Sequence, residues 1–224
     1  MITTTTQGIY AGVCLSTARP TTPYLGQVIF ETDTNKMKVW LGSVWSDGYT
    51  HVYTPPGDFE SIATTTVGAG GTGTITFSDI PQTYKHLQIR ALTKSEGVQD
   101  STDMRFNGDT GSNYSYHALY GTGSAAGAEA STSRTSAITG FTAVQSSDTS
   151  MFSCGVLDIL DYTDTNKYKT TRTLSGFDTN GAGVVYLISN VWMSTSAITS
   201  ILLYPRAGGD FNQYSHFALY GIRG

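Results

Sequence analysis

The residues best placed to do chemistry are acidic and aromatic. Asp158, Asp161, Asp164 and Asn166 fall within one stretch, LDILDYTDTN, the densest set of oxygen donors in the chain. Carboxylate and amide oxygens gathered on a turn suit a hard cation such as calcium. Their spacing matches no EF-hand loop, and turns collect Asp and Asn for backbone reasons alone, so no metal is assigned there. Paired carboxylates could also cleave a glycan, with Asp100, Asp103 and Asp109 as weaker candidates. Such enzymes usually need a long groove or β-helix repeats, and no repeat of roughly 20–50 residues is seen. His51, His86, His117 and His216 are isolated. No nucleophile elbow, phosphate-binding loop or HExxH pair is present. The expectation is a protein that is not an enzyme, with no cofactor. The tyrosines are more suggestive. Tyr114, Tyr116, Tyr120, Tyr214 and Tyr220 offer rigid, amphipathic contact area for a sugar or protein surface. Equally, they could pack between sheets with their hydroxyls at the rim, and no ligand-binding residue is assigned.

Most of these tyrosines sit in two similar runs. Asn113 to Gly121 reads NYSYHALYG, and Gln213 to Gly221 reads QYSHFALYG; each follows a turn cluster rich in Gly and Asp. Both runs are short, aromatic and bounded by glycine, which predicts strands. In the first, period two puts Tyr114, Tyr116, Ala118 and Tyr120 on one face and Ser115, His117 and Leu119 on the other. The similarity predicts equivalent places in a two-part β-architecture. His117 aligns with Phe217 and His216 with Tyr116, so the two histidines are expected on opposite sides of their strands, sharing no duplicated site.

Composition points the same way. The 224 residues are 39% hydrophobic but only 13% charged, about half the usual ~25%. Thr, Ser, Gly and Asn stand in, which favours strands with hydroxyl-rich faces and many turns over helical bundles. The formal charge of −4 and thirteen scattered Lys and Arg leave no basic patch for nucleic acid. Cys14 and Cys154 lie far apart and are read as buried small apolar residues. The start, MITTTTQGIY, has the pattern of no signal peptide, and no apolar run approaches the ~20 residues of a membrane span.

The chain reads as three parts. In 1–54, an arm containing Pro20, Pro23 and Gly26 leads to strands Gln27–Thr32 and Met37–Leu41, joined by the turn at 33–36. This small hairpin holds Val28, Phe30, Val39, Trp40 and Trp45 with little cover of its own. An isolated hairpin is marginal in water, so these five residues are the candidate oligomer interface. Residues 55–58, around Pro55 and Pro56, read as a linker. In 59–224, alternating runs predict strands at Phe59–Val67, Thr74–Phe77, His86–Leu92, Gly155–Leu160, Lys167–Leu174, Val184–Ile188 and Ile198–Tyr204, besides the two similar runs. Lys94–Asp103 and Gly121–Ser136 are expected to be exposed loops, the second long and mobile. The fold class is all-β: a β-sandwich or jelly-roll-like domain preceded by an extended N-terminal arm and a small β-hairpin module.

The run RPTTPYLGQVIFETDTNKMKVWLGSVW (19–45) resembles a short module of tailed-bacteriophage virion proteins. Its marks are Arg-Pro, Pro-x-x-Gly-Gln as Pro23-Tyr-Leu-Gly26-Gln27, a strand ending in Glu31-Thr-Asp-Thr34, and Val39-Trp40-x-Gly42 before a further Trp. The runs FNGDTGSNYS, LDILDYTDTNKYKTTRTLSG and the terminal ALYGIRG are similar to distal domains of phage structural proteins. The resemblance implies a non-enzymatic virion component, a homo-oligomer with a trimer as the expected count. Its N-terminal arm would attach it to other virion proteins. A tail fibre contributing to binding of a host-surface glycan or protein is the leading expectation. A capsid decoration or head-fibre protein is the alternative, and a glycan-cleaving spike comes third. No nucleic-acid partner and no membrane insertion are expected, and the implied location is the virion.

Overall fold

The computed structural model describes residues 12–47, 57–96, 100–143 and 150–224. The chain falls into two compact units, Met1–Pro55 and Pro56–Gly224. His51 and half of the 55–58 linker, Pro55 and Pro56, lie outside the described residues. All regular structure in the described residues is β, in sixteen strands.

In the first unit, β1 (Gly12–Cys14), β2 (Val28–Glu31), β3 (Lys36–Trp40) and β4 (Trp45–Asp47) form one sheet in that order. The hairpin β2–β3 closes through Asn35 at φ 56°, a left-handed conformation that Asn tolerates. Part of the segment read as an extended arm is a strand instead. β1 runs parallel to β2, with Gly12 opposite Ile29. Three residues show no alternation to detect; β1 exists because β2 has a free edge. Buried Glu31 accepts hydrogen bonds from Arg19 Nε at 2.5 Å and Thr34 Oγ1 at 2.8 Å, tying the proline-rich segment to the sheet.

The second unit contains β5 (Phe59–Thr66), β6 (Ile75–Phe77), β7 (His86–Thr93), β8 (Asp100–Phe106), β9 (Tyr114–Gly121), β10 (Ala126–Arg134), β11 (Ala137–Ala143), β12 (Ser153–Ile159), β13 (Lys169–Asp178), β14 (Gly183–Trp192), β15 (Ile201–Pro205) and β16 (His216–Ile222). Eight of them make a sheet in the order β10-β9-β14-β13-β12-β7-β16-β5, and four make a second in the order β11-β8-β15-β6. The inward residues of the large sheet, among them Leu87, Ile89, Leu157, Trp192, Phe217 and Leu219, share one core with Phe77, Met104, Phe106, Phe141, Ile201 and Leu203 of the small one. β11 breaks register with β8 between Ile138 and Thr142. Side chains from the large sheet satisfy its backbone there. Asn190 Oδ1 accepts from Ile138 N at 3.0 Å, Asn190 Nδ2 donates to Ile138 O at 2.9 Å, and Ser175 Oγ donates to Gly140 O at 2.6 Å. Buried polar groups cost little only when paired in this way. Gly155 leaves room for Phe141, whose ring would lie 2.1 Å from a Cβ there.

Several expectations need correction. Gly121–Ser136 is not a loop: after the turn Thr122–Ala125, β10 pairs with β9 from Ala126↔Gly121 to Ser131↔Tyr116. Its Ala, Gly and Ser residues carry no apolar period, but the free edge of β9 supplies the missing hydrogen bonds. Lys94–Asp103 likewise ends inside β8. The cysteines are not both buried: Cys14 is half-buried and Cys154 exposed, because Cys154 alternates outward between the inward Ser153 and Gly155.

The two similar runs do occupy corresponding places, each second from an edge of the large sheet. Yet they face opposite ways. Leu119 is 59% exposed whereas its counterpart Leu219 is 0% exposed. Tyr214 sits at φ 73°, outside β16, whereas Tyr114 begins β9 with its ring in the core. This offset turns His216 to the outer face, opposite exposed Leu92. His117 is on the outer face too. The expectation that the histidines face opposite sides is therefore wrong. They are nevertheless five strands apart, about 24 Å at ~4.8 Å per strand, too far to share a ligand.

Candidate functional site

The acidic stretch is occupied by the chain's own cations. Asp158 stands opposite Arg172 in the β12–β13 register and accepts from Gln88 Nε2 at 2.8 Å. Asp161 takes Lys85 Nζ at 2.9 Å on one oxygen and Lys167 Nζ on the other. Asp164 Oδ1 accepts from the backbone and side chain of Asn166, closing the turn. Lys169, fully buried, donates through Nζ to the carbonyls of Asp164 at 2.5 Å, Lys167 at 3.0 Å and Thr195 at 3.2 Å. The cluster thus works as a latch between the end of β12 and the start of β13. Lys167, then Lys85, hold the Asp161 carboxyl down at about 2, from an ordinary 3.8. A carboxyl depressed in the fold stabilises it above its unfolded pKa, and that contribution is lost as pH falls through the folded one. Stability should therefore decline between about pH 4 and 2, and Asp161→Asn should flatten that part of the acid limb in a pH series of thermal melts. An unaltered limb would refute the latch.

Asp109 is also structural. It accepts from Gly111 N at 2.8 Å, Asn113 Nδ2 at 2.9 Å and Trp192 Nε1 at 2.7 Å. Burial pushes its carboxyl up, but these hydrogen bonds outweigh it and leave the group below its ordinary value. The side chain of Asp100 lies outside the described residues.

Among the tyrosines, Tyr114 and Tyr116 are buried. Tyr220 stacks on Phe59 at 4.7 Å on the outer face, and Tyr214 is 68% exposed in a turn. Tyr120 lines a cleft between the two sheets. There the two sheets open at the end carrying the turns Thr122–Ala125 and Thr179–Ala182. The cleft has a volume of about 700 Å³. Tyr120 pairs across β9–β14 with Tyr186, their ring centroids 5.8 Å apart and tilted by 46°. The ring of Tyr120 lies across β10 over Gly127, where a Cβ would come within 2.5 Å of it. Only glycine leaves that space.

Glu129 of β10 and Arg206, just after β15, flank the tyrosines, with Ser101, Thr122, Ser124 and Thr179 around the mouth. Arg206 is aimed by buried Asp103, which takes its Nε at 2.9 Å and its Nη2 at 2.8 Å. The same carboxylate accepts from Ser136 Oγ at 2.6 Å and Arg134 Nη2 at 3.2 Å. Burial pushes the Tyr186 hydroxyl up, the Glu129 charge adds to this, and Arg206 opposes it. The phenol therefore stays protonated at neutral pH and can donate.

Tyr186 was not singled out in the sequence, although the alternation of Val184–Ile188 puts it on the face of Ile188; that it meets Tyr120 depends on the β9–β14 pairing. The five candidate interface residues of the first unit are half-buried within it. Val28 and Val39 are paired, with Phe30 on the same side, while Trp40 and Trp45 contact each other at 5.4 Å on the other. Val13, Leu15, Tyr24, Leu25 and Val44 are the more exposed apolar residues there. No protein-family model matches the chain, and no curated protein or solved structure does either.

Proposed function

We propose that this chain is a non-enzymatic structural protein of a tailed-bacteriophage virion, a fibre component whose second unit is a two-layer β-sandwich that binds a polyhydroxylated ligand, a surface glycan. The virion reading rests on the resemblance carried by 19–45. The binding reading rests on one observation: two tyrosines side by side in a cleft between sheets, flanked by a carboxylate and a guanidinium. Sugar rings stack on aromatic faces through their C–H groups, while hydroxyls take hydrogen bonds from charged and phenolic side chains. The first unit serves attachment and assembly.

The test is calorimetric titration of the full chain with oligosaccharide fragments of a bacterial envelope polysaccharide. Tyr120→Ala and Tyr186→Ala should each weaken binding by about tenfold or more, the loss of roughly 1.4 kcal/mol or more of contact. The unaltered protein should release no reducing ends on prolonged incubation. Binding unchanged in both variants would remove the cleft from the function, and release of reducing ends would make the protein an enzyme.

A further inference from the structure

The outer face of the large sheet does not look like a face that meets water. Cross-strand register places Ala128, Leu119, Leu187, Leu174 and Val156 side by side in one row across β10, β9, β14, β13 and β12. The neighbouring row holds Val185, Gly176, Cys154 and Leu92. Leu119 and Leu174 are each 59% exposed, and Leu92, Val156, Val185 and Leu187 also stand open. A sheet with one solvated face alternates apolar-in and polar-out; β7, β12, β14 and β9 are apolar on both faces at these positions, and β13 inverts the rule, with Thr171, Thr173 and Ser175 buried and Leu174 exposed. Contiguous apolar surface of this kind marks an interface.

We infer that a second copy of this chain packs on this face, large sheet against large sheet. Three observations select that occupant. The first is size. Eight strands at ~4.8 Å and about eight residues at ~3.4 Å give roughly 1000 Å², above the ~800 Å² per partner of a stable protein pair.

The second is charge. Asp158 and Arg172 are opposite each other on adjacent strands, and Arg90 lies over the rings of Phe59 and Tyr220 at 5.1 and 5.6 Å. The charges on the face are few and of both signs, so it suits a surface as neutral as itself rather than a strongly charged one. The chain as a whole carries −4, so a face of nearly balanced charge brings two copies together with less repulsion than an acidic one.

The third is regularity. Register is unbroken through β16, β7, β12, β13, β14 and β9, whereas β10 and β5 carry irregularities at the two edges. Irregular edges discourage edge-to-edge addition, which leaves the flat face as the second unit's own route to association. This inference is independent of the cleft.

The test uses the full chain and the double variant Leu174→Lys, Leu187→Lys, whose positions are exposed and should leave the fold intact. Sedimentation equilibrium should show the unaltered protein at a multiple of 24.0 kDa. In the variant, self-association should be weaker by about a hundredfold or more. Native Cys154, in the middle of the face, gives a second reading that needs no variant. Its alkylation, followed by peptide mapping, should slow as protein concentration rises from about 0.1 to 100 µM. A monomer with freely reactive Cys154 would overturn the inference. So would a monomer in which Cys154 is protected at every concentration, which would mean that the chain's own first unit covers the face. An oligomer of the same mass and stability in a folded double variant would place assembly on another surface and equally overturn it.

Discussion

Lys169→Ala should lower the stability of the second unit by about 3–5 kcal/mol, the loss of charge-assisted hydrogen bonds to three carbonyls together with the burial of the aliphatic stem. For a domain of this size that is a fall of roughly 6–20 °C in melting temperature. The ammonium is the common donor to the carbonyls of Asp164, Lys167 and Thr195, and the side chain is fully buried. Removing it leaves three acceptors without that donor and opens a cavity along the aliphatic stem. Burial already lowers the pKa of the group, so holding it charged has a cost that the three carbonyls offset. Lys169→Met separates the two losses. It refills the volume and abolishes the charge but restores no donor, so it should recover only part of the deficit. Thermal and urea unfolding of both variants checks this; a deficit under about 1 kcal/mol for Lys169→Ala would show that water replaces the ammonium without loss.

Trp192→Ala should cost a similar amount, about 3–5 kcal/mol for a large buried aromatic. The ring packs against Phe106 at 5.4 Å and Tyr114 at 6.3 Å. Its Nε1 donates to Asp109, the carboxylate that closes the turn before β9. The loss is therefore twofold: a core cavity and a half-buried carboxylate short of one donor. Trp192→Phe keeps most of the apolar volume and removes the hydrogen bond, so it should cost about 1.5–3 kcal/mol, the range for a hydrogen bond to a charged group. If the two variants lose equal stability, the hydrogen bond rather than the packing carries the site, and the cavity argument fails.

Much of the β framework was legible in the sequence because two periodic signals agree there. His86–Leu92, Gly155–Leu160 and Lys167–Leu174 alternate with period two, and each emerges as a strand within a few residues of its expected limits. The turn at Asn107-Gly108 was legible for a different reason: both residues adopt positive φ, which few other residue types tolerate. β1 and β10 were not legible, since neither has an apolar period. The cleft was half legible, through Tyr120 but not Tyr186 or Arg206. Those two are far from Tyr120 in sequence and reach it only through β9–β14 pairing and the contact between sheets.

The amino-acid sequence by itself determined that this chain is all-β and rich in turns. Alternating apolar residues commit a segment to a pleated, half-buried surface wherever it ends up, and Gly, Asn and Asp commit the points between. Only the tertiary structure decided which face each strand buries. With Tyr214 in left-handed backbone before it, β16 buries the opposite side from β9, although six of the nine residues of the two runs are the same. Tertiary structure likewise made Lys169 a core residue, because three carbonyls converge on it, two from the β12–β13 connection and one from the segment after β14. It also left Leu119, Leu174 and Leu187 in register and exposed on one face. Alternation assigns a residue to one side of its own strand; whether that side meets a second sheet or stays open depends on where the chain places its other strands.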